Sequence, residues 1–150
     1  MTGTAVISAE RWRDNWRALS DGDALQLELP RSRAGRRARL ASIRALAGGT
    51  RVVLSASAPG ASRRCRSFAS AAGLELEREY LAFPTAAAPA YLVEDAPAPV
   101  RLFVSNALVA PSRPGLAVPI ELGLELLRRF RSWRLVRLLA PGRVVVGRRA

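Results

Sequence analysis

The chain has 150 residues, 49% apolar and 24% charged, the composition and size of one folded domain and not of a disordered segment. All 24 basic residues are arginines, set against 12 acids, so the net charge is +12, which attracts polyanions or an anionic membrane face without bearing on fold. With no histidine, no lysine and one cysteine, the composition excludes histidine general-base catalysis and ligation, lysine Schiff-base chemistry, an intrachain disulfide and a cysteine metal cluster.

In chain order, residues 8–19 place Trp12, Trp16 and Leu19 on one stripe of an amphipathic helix capped by Ser8, and Asp21, Gly22 and Asp23 break it. Residues 24–29 alternate Leu25, Leu27 and Leu29 with Gln26 and Glu28, a half-covered strand stopped by Pro30. A helix follows with Ala34, Ala38, Ala41 and Ala45 beside Leu40, Ile43 and Leu46, and Gly48 and Gly49 are expected as its C-cap. Residues 51–57 carry the continuous run Val52, Val53, Leu54, the mark of a strand covered on both faces. From Ala61, helical spacing links Ala61, Cys65, Phe68, Ala69 and Ala72 as far as Gly73, which assigns Cys65 to the core.

Residues 74–82 then alternate Leu74, Leu76 and Tyr80 with Glu75, Glu77 and Glu79, a strand with one wet face near the sheet edge. After Pro84 the texture becomes Ala/Pro-rich around Tyr91, Leu92 and Val93, with a short helix over 100–110 presenting Phe103, Val104 and Ala107 and a joint over 111–119. Residues 84–119 read as an insertion over the sheet, within a single domain spanning 1–150. A helix over 120–139 has Glu121 and Glu125 at its start and Arg128, Arg129, Arg131, Arg134 and Arg137 toward its end, the order that complements the helix dipole. Pro141 and Gly142 turn the chain into a last strand through Val144, Val145 and Val146. The amino terminus has no basic segment leading into an apolar run, and no stretch holds the roughly 18 apolar residues of a membrane span, so a cytoplasmic protein is expected.

Two strand-helix-strand units imply right-handed crossovers and an α/β fold: a partial Rossmann-like, mostly parallel sheet flanked by helices, with an antiparallel C-terminal strand. The phrase running from Leu46 through Gly48, Gly49 and Thr50 to Leu54, the helix end Ala72-Gly73-Leu74, and the Pro-Gly turn into a Val-rich strand are similar to the carboxyl half of class I S-adenosylmethionine-dependent methyltransferases. That resemblance covers residues 20–83 and 140–149 and implies a strand that turns back antiparallel beside the one before it. The family holds its cofactor with a Gly-x-Gly loop after the first strand and an acid after the second; this chain contains no Gly-x-Gly, and Pro30, Arg31 and Ser32 depart from the family's Asn/Asp-Pro-Pro-aromatic motif. The resemblance therefore implies no cofactor of the chain's own, S-adenosylmethionine only if a partner supplies the missing half, and otherwise a degenerate or accessory domain.

Ligands of open α/β sheets sit at the carboxyl ends of strands, where helix N-termini offer unpaired N–H groups. Between Leu29 and Leu74 stand ten arginines and no acid. Arg31, Ser32, Arg33, Arg36 and Arg37 follow one strand, and Ser55, Ser57, Arg63 and Arg64 end and follow the next. Arginines in a first turn oppose the helix dipole, a cost that a bound anion would offset, and a guanidinium suits bidentate capture of phosphate or carboxylate. These residues are the candidate site for an anionic ligand, whether phosphorylated small molecule, lipid head group or nucleic acid. A second candidate face, on the 120–139 helix, joins Phe130, Arg131, Trp133, Arg134 and Arg137 as a peripheral membrane or partner contact. The open edge of the first strand points to a homo- or hetero-oligomer. Paired acids, Asp21 with Asp23 and Glu94 with Asp95, read as turn and solvation residues, and no metal site is expected.

Overall fold

The computed structural model describes Leu19, residues 24–106, Glu125 and residues 133–150. The helix begun at Ser8 with Trp12 and Trp16, the Asp21–Asp23 break, Ala107, the 111–119 joint, Phe130 and Arg131 lie outside the described residues. The chain divides into two compact units, residues 1–92 with 141–150, and residues 93–140. The segment 84–119 is thus shared between the units.

Five strands form one open mixed sheet: β1 (Leu25–Glu28), β2 (Arg51–Ser57), β3 (Leu74–Phe83), β4 (Tyr91–Glu94) and β5 (Gly142–Arg149), in the spatial order β1-β2-β5-β3-β4. β1 and β2 run parallel, joined by α1 (Arg33–Arg44), while β5 enters between β2 and β3 antiparallel to both. β1, β2 and β3 therefore share one direction, as two crossovers through α1 and α2 (Ala61–Ala72) require, yet β1 and β2 are the one parallel pair among those three strands and β5. The expected mostly parallel sheet is a mixed one, because the last strand inserts between two parallel neighbours.

The helices cover one face. Leu27, Leu29, Val52, Leu54, Ala56, Leu74 and Val145 from the strands pack with Ile43 of α1 and Ala61, Cys65, Phe68, Ala69 and Ala72 of α2. The other face collects Val53, Val144, Val146 and Ala82 with Leu19. β2 and β5 read as near-continuous Val-rich runs because both of their faces are covered. α2 buries a full stripe, whereas Ile43 is the one fully buried residue of α1. What ties α1 down is polar: Arg44 donates from Nε and Nη2 to the Ala71 carbonyl at 3.2 and 2.8 Å, linking the two helix ends. The C-cap of α1 is Ala45, three residues before the expected Gly48; Gly49, at φ +81°, instead makes the turn whose N–H meets the Arg149 carbonyl at 2.8 Å.

Simple alternation fails in β3. The register against β5 shifts between Leu76 and Arg78, so Glu77 is the extra residue of a bulge. Before it, Leu74 and Leu76 stand opposite Arg149 and Gly147; after it, Glu79 stands opposite Val145, on the helix face. A one-residue slip exchanges the faces, and it carries Glu79 from the expected wet face to a place beneath α2. Gly147 permits the close approach there: a Cβ at that position would lie 2.8 Å from the Glu75 carbonyl oxygen. β3 is also not the edge strand, since β4 lies outside it.

In the second unit, α3 (Pro97–Asn106) buries Val100, Phe103 and Val104 and packs on α4 (Trp133–Leu139), which buries Val136. Asp95, expected as a solvated acid, is 3% exposed and paired to Arg137 at 2.8 Å, because a buried carboxylate requires a cation within the fold.

Candidate anion-binding groove

The carboxyl ends of the parallel strands β1 and β2 bring the two expected loops together. Arg31 Nη2 donates to the Ala58 carbonyl at 3.0 Å, spanning from one loop to the other. Around this junction a cavity of about 390 Å³ is lined by Glu28, Leu29, Pro30, Arg31, Arg39, Ser57 and Arg64. Beside it, a groove of about 420 Å³ lies between α1 and α2; five arginines, Arg33, Arg36, Arg37, Arg63 and Arg64, line it, and no acid does. Arg64 borders both.

The helix starts differ. Ser32 caps α1, accepting a hydrogen bond from the Gly35 N–H at 3.2 Å, so its hydroxyl serves the helix. Gly35 is required by crowding, since a Cβ there would lie 2.8 Å from Pro30 Cγ and Ser32 Oγ. α2 begins after Gly60, which is in the left-handed conformation and makes no side-chain cap bond, so its first-turn N–H groups have no side-chain acceptor from the N-cap.

The groove's arginines form two sets. Arg36 reaches back to the Pro30 carbonyl at 3.2 Å and to that of Arg31; Arg64 donates to the Pro59 carbonyl at 2.6 Å and to that of Ser57. The chain's own carbonyls thus supply acceptors for two arginines whose cost to the helix dipole had called for an anion. Arg33, Arg37 and Arg63 are exposed and make no hydrogen bond or ion pair among the described residues. Arg64 Nε is buried without a hydrogen-bond partner among the described residues.

Of the sequence candidates, then, Arg33, Arg36, Arg37, Arg63 and Arg64 come together in the groove, and Arg31, Ser57 and Arg64 around the neighbouring cavity. Ser55 does not join them: it stands opposite Val144, on the face of Val53 and Val146, away from both helices. In the second unit Arg134 is exposed, while Arg137 is held by Asp95.

Sequence reasoning missed a charged cluster under α2. Glu79 accepts from Ser62 Oγ at 2.8 Å, from Arg66 Nε and Nη2 at 2.8 and 2.6 Å, and from Arg143 Nη1 at 3.3 Å. Arg143 is 4% exposed and Glu79 13%. Only the bulge could have revealed it, and the one sequence trace of that is Gly147 among valines. Cys65 lies in the core nearby, where burial, with the Glu79 charge second, pushes its thiol from 9.0 up to about 12; Arg64 and Arg143 act the other way. Such a thiol stays protonated and is no nucleophile at neutral pH. Among the described residues no group of three or more metal-ligating side chains occurs, and no helix is long and apolar enough to cross a membrane.

No protein-family model, curated protein or solved structure matches the chain.

Proposed function

We propose that this chain is an anion-binding α/β domain, a degenerate or accessory form of the methyltransferase-like layout, that captures an anionic partner or substrate between α1 and α2. The single observation that carries this is the acid-free groove of five arginines, three of them without partners among the described residues. Guanidinium groups converging from two helices suit several oxygens of one anion. The antiparallel β5 beside β3 supports the methyltransferase-like layout, since that resemblance implies such a strand.

Inorganic triphosphate tests the reading by calorimetry. Binding that is lost in the triple variant Arg33→Gln, Arg37→Gln, Arg63→Gln supports it; no heat from the wild type, or equal binding by the variant, removes it. S-adenosylmethionine belongs in the same titration, and the degenerate form predicts that the chain alone does not bind it.

A second reading has its own observation. On α4, Leu135, Leu138 and Leu139 are 42%, 78% and 63% exposed beside Arg134, the mixture of apolar and cationic side chains that suits an anionic bilayer surface. It predicts sedimentation with phosphatidylserine vesicles that Leu138→Ser weakens, and unchanged sedimentation would remove it.

A further inference from the structure

We infer that the anion held by the α1–α2 surface is the phosphodiester backbone of a nucleic-acid duplex, contacted without regard to sequence; this rests on the anion-binding reading above. The first reason is extent. The outer layer formed by α1 and α2 carries Arg33, Arg36, Arg37, Arg39, Arg44, Arg63, Arg64 and Arg66 and no acid. Arg33 and Arg44 are separated by about 16 Å of helix, far more than one phosphate spans, whereas duplex phosphates recur along a strand at about 3.4 Å of axial rise. Repeating cations along two neighbouring helices match a ligand that repeats its charge.

The second reason is what the layer lacks. Among the described residues the exposed large apolar side chains are Leu76, Leu102, Leu135, Leu138 and Leu139, none of them on α1 or α2. A lipid surface needs apolar side chains beside the cations, so this layer fits a ligand approached through water. Phe68, the one aromatic residue of the two helices, is 5% exposed and packed in the core. It borders the groove but leaves almost no ring face open for a base, and stacking platforms are what single-strand binders use, so the stacked duplex with its phosphates outward is the form that fits. Contacts made by guanidinium groups to phosphates fix position and carry no sequence information.

The third reason is that all but one of these arginines escape internal neutralisation. Arg66 is paired with Glu79, whereas Arg36, Arg44 and Arg64 meet neutral carbonyls and keep their charge, and the side chains of Arg33, Arg37 and Arg63 make no bond or ion pair among the described residues. Binding then releases counterions, and the logarithm of the association constant falls with the logarithm of salt by about 0.9 per phosphate neutralised. Five groove arginines give a slope of about −4.5, and the three left unpartnered account for more than half of it.

The test is fluorescence anisotropy of the full chain with a 20-base-pair mixed-sequence duplex, as DNA and as RNA, over a series of salt concentrations. The wild type is expected to bind both with a slope near −4.5, and Arg33→Gln, Arg37→Gln, Arg63→Gln to flatten it to about −1.8. Scrambling the sequence is expected to change nothing. Tighter binding of the single strand than of the duplex overturns the inference, as does binding of phosphatidylserine vesicles in place of the duplex, or a slope that the triple variant leaves unaltered. Inorganic triphosphate bound through the same arginines with no duplex binding overturns the inference and leaves the anion groove standing. If neither triphosphate nor duplex binds, both fail. A circular dichroism melt of the triple variant that matches the wild type excludes unfolding as the cause of weakened binding.

Discussion

Two arginine-rich regions of the first unit use the same side chain to opposite ends. At the β3–β5 ladder, Arg143 and Arg66 converge on Glu79, and Arg51 and Arg148, directly opposite one another on β2 and β5, are bridged by Glu77 at 3.6 and 3.1 Å. Across the sheet's helical layer, the groove arginines meet carbonyls or stand exposed, and no carboxylate lines the groove. One region neutralises its charge internally and gains structure; the other keeps its charge facing outward. The difference is one of acid placement, because arginine itself is spread along the whole sequence while Glu75, Glu77 and Glu79 sit together on β3. A guanidinium is a structural tie where a carboxylate is within reach and a recognition element where none is.

Substitutions can break this contrast, and the largest effect is expected at Glu79. Glu79→Ala strands the 4% exposed Arg143 without its carboxylate, and urea unfolding should show a loss of about 3–5 kcal/mol. A loss below about 1 kcal/mol would mean that water, and not Glu79, solvates Arg143. Cys65 follows. Below pH 9 its thiol is protonated in both folded and unfolded chains, but between about pH 9 and 12 only the unfolded thiol ionises, so stability falls as pH rises through that window. The melting temperature of the wild type should therefore decline more steeply than that of Cys65→Ala above pH 9, and parallel curves would contradict its burial.

Gly147→Ala pushes a methyl group against the Glu75 carbonyl at the bulge and should cost about 1–3 kcal/mol in the same unfolding measurement. No cost would show that the β3 register can relax, and with it the placement of Glu79. Glu77→Gln removes the bridge between two partly exposed arginines and is expected to cost about 0.2–1 kcal/mol, less at high salt. Smallest of all is the triple glutamine variant of Arg33, Arg37 and Arg63, whose stability should stay within about 0.5 kcal/mol of the wild type even though its triphosphate binding is lost. A large destabilisation there would place those arginines with the structural set and dissolve the contrast.

Some of the structure was legible in short stretches. β2 and α2 fall on the residues that periodicity assigned, because Val52-Val53-Leu54 and the stripe from Ala61 to Ala72 are strong local patterns. β5 runs from two residues before to three residues after the valine core of its sequence at 144–146, since pairing with both neighbours extends it to Gly142 and Arg149. The arginine groove was legible for a related reason: its residues follow the carboxyl ends of two parallel strands, and one right-handed crossover sets the second loop beside the first. Ser55 was misplaced with them because a strand end has two faces, and the register opposite Val144 turns it to the far one.

Composition and periodicity by themselves determined an α/β chain with a net positive charge, a buried cysteine, and a block of arginines without acids. These are properties of neighbours along the chain, and local sterics and burial suffice to set them. The tertiary structure decided which arginines are tied and which are free. That depends on β5 entering between β2 and β3 and on one extra residue in β3, which together bring Glu79 to Arg143 across 64 positions of sequence and leave nothing comparable beside Arg33, Arg37 and Arg63. Charge is written in the sequence, but its neutralisation is a contact, and contacts between distant residues exist only once the sheet has closed.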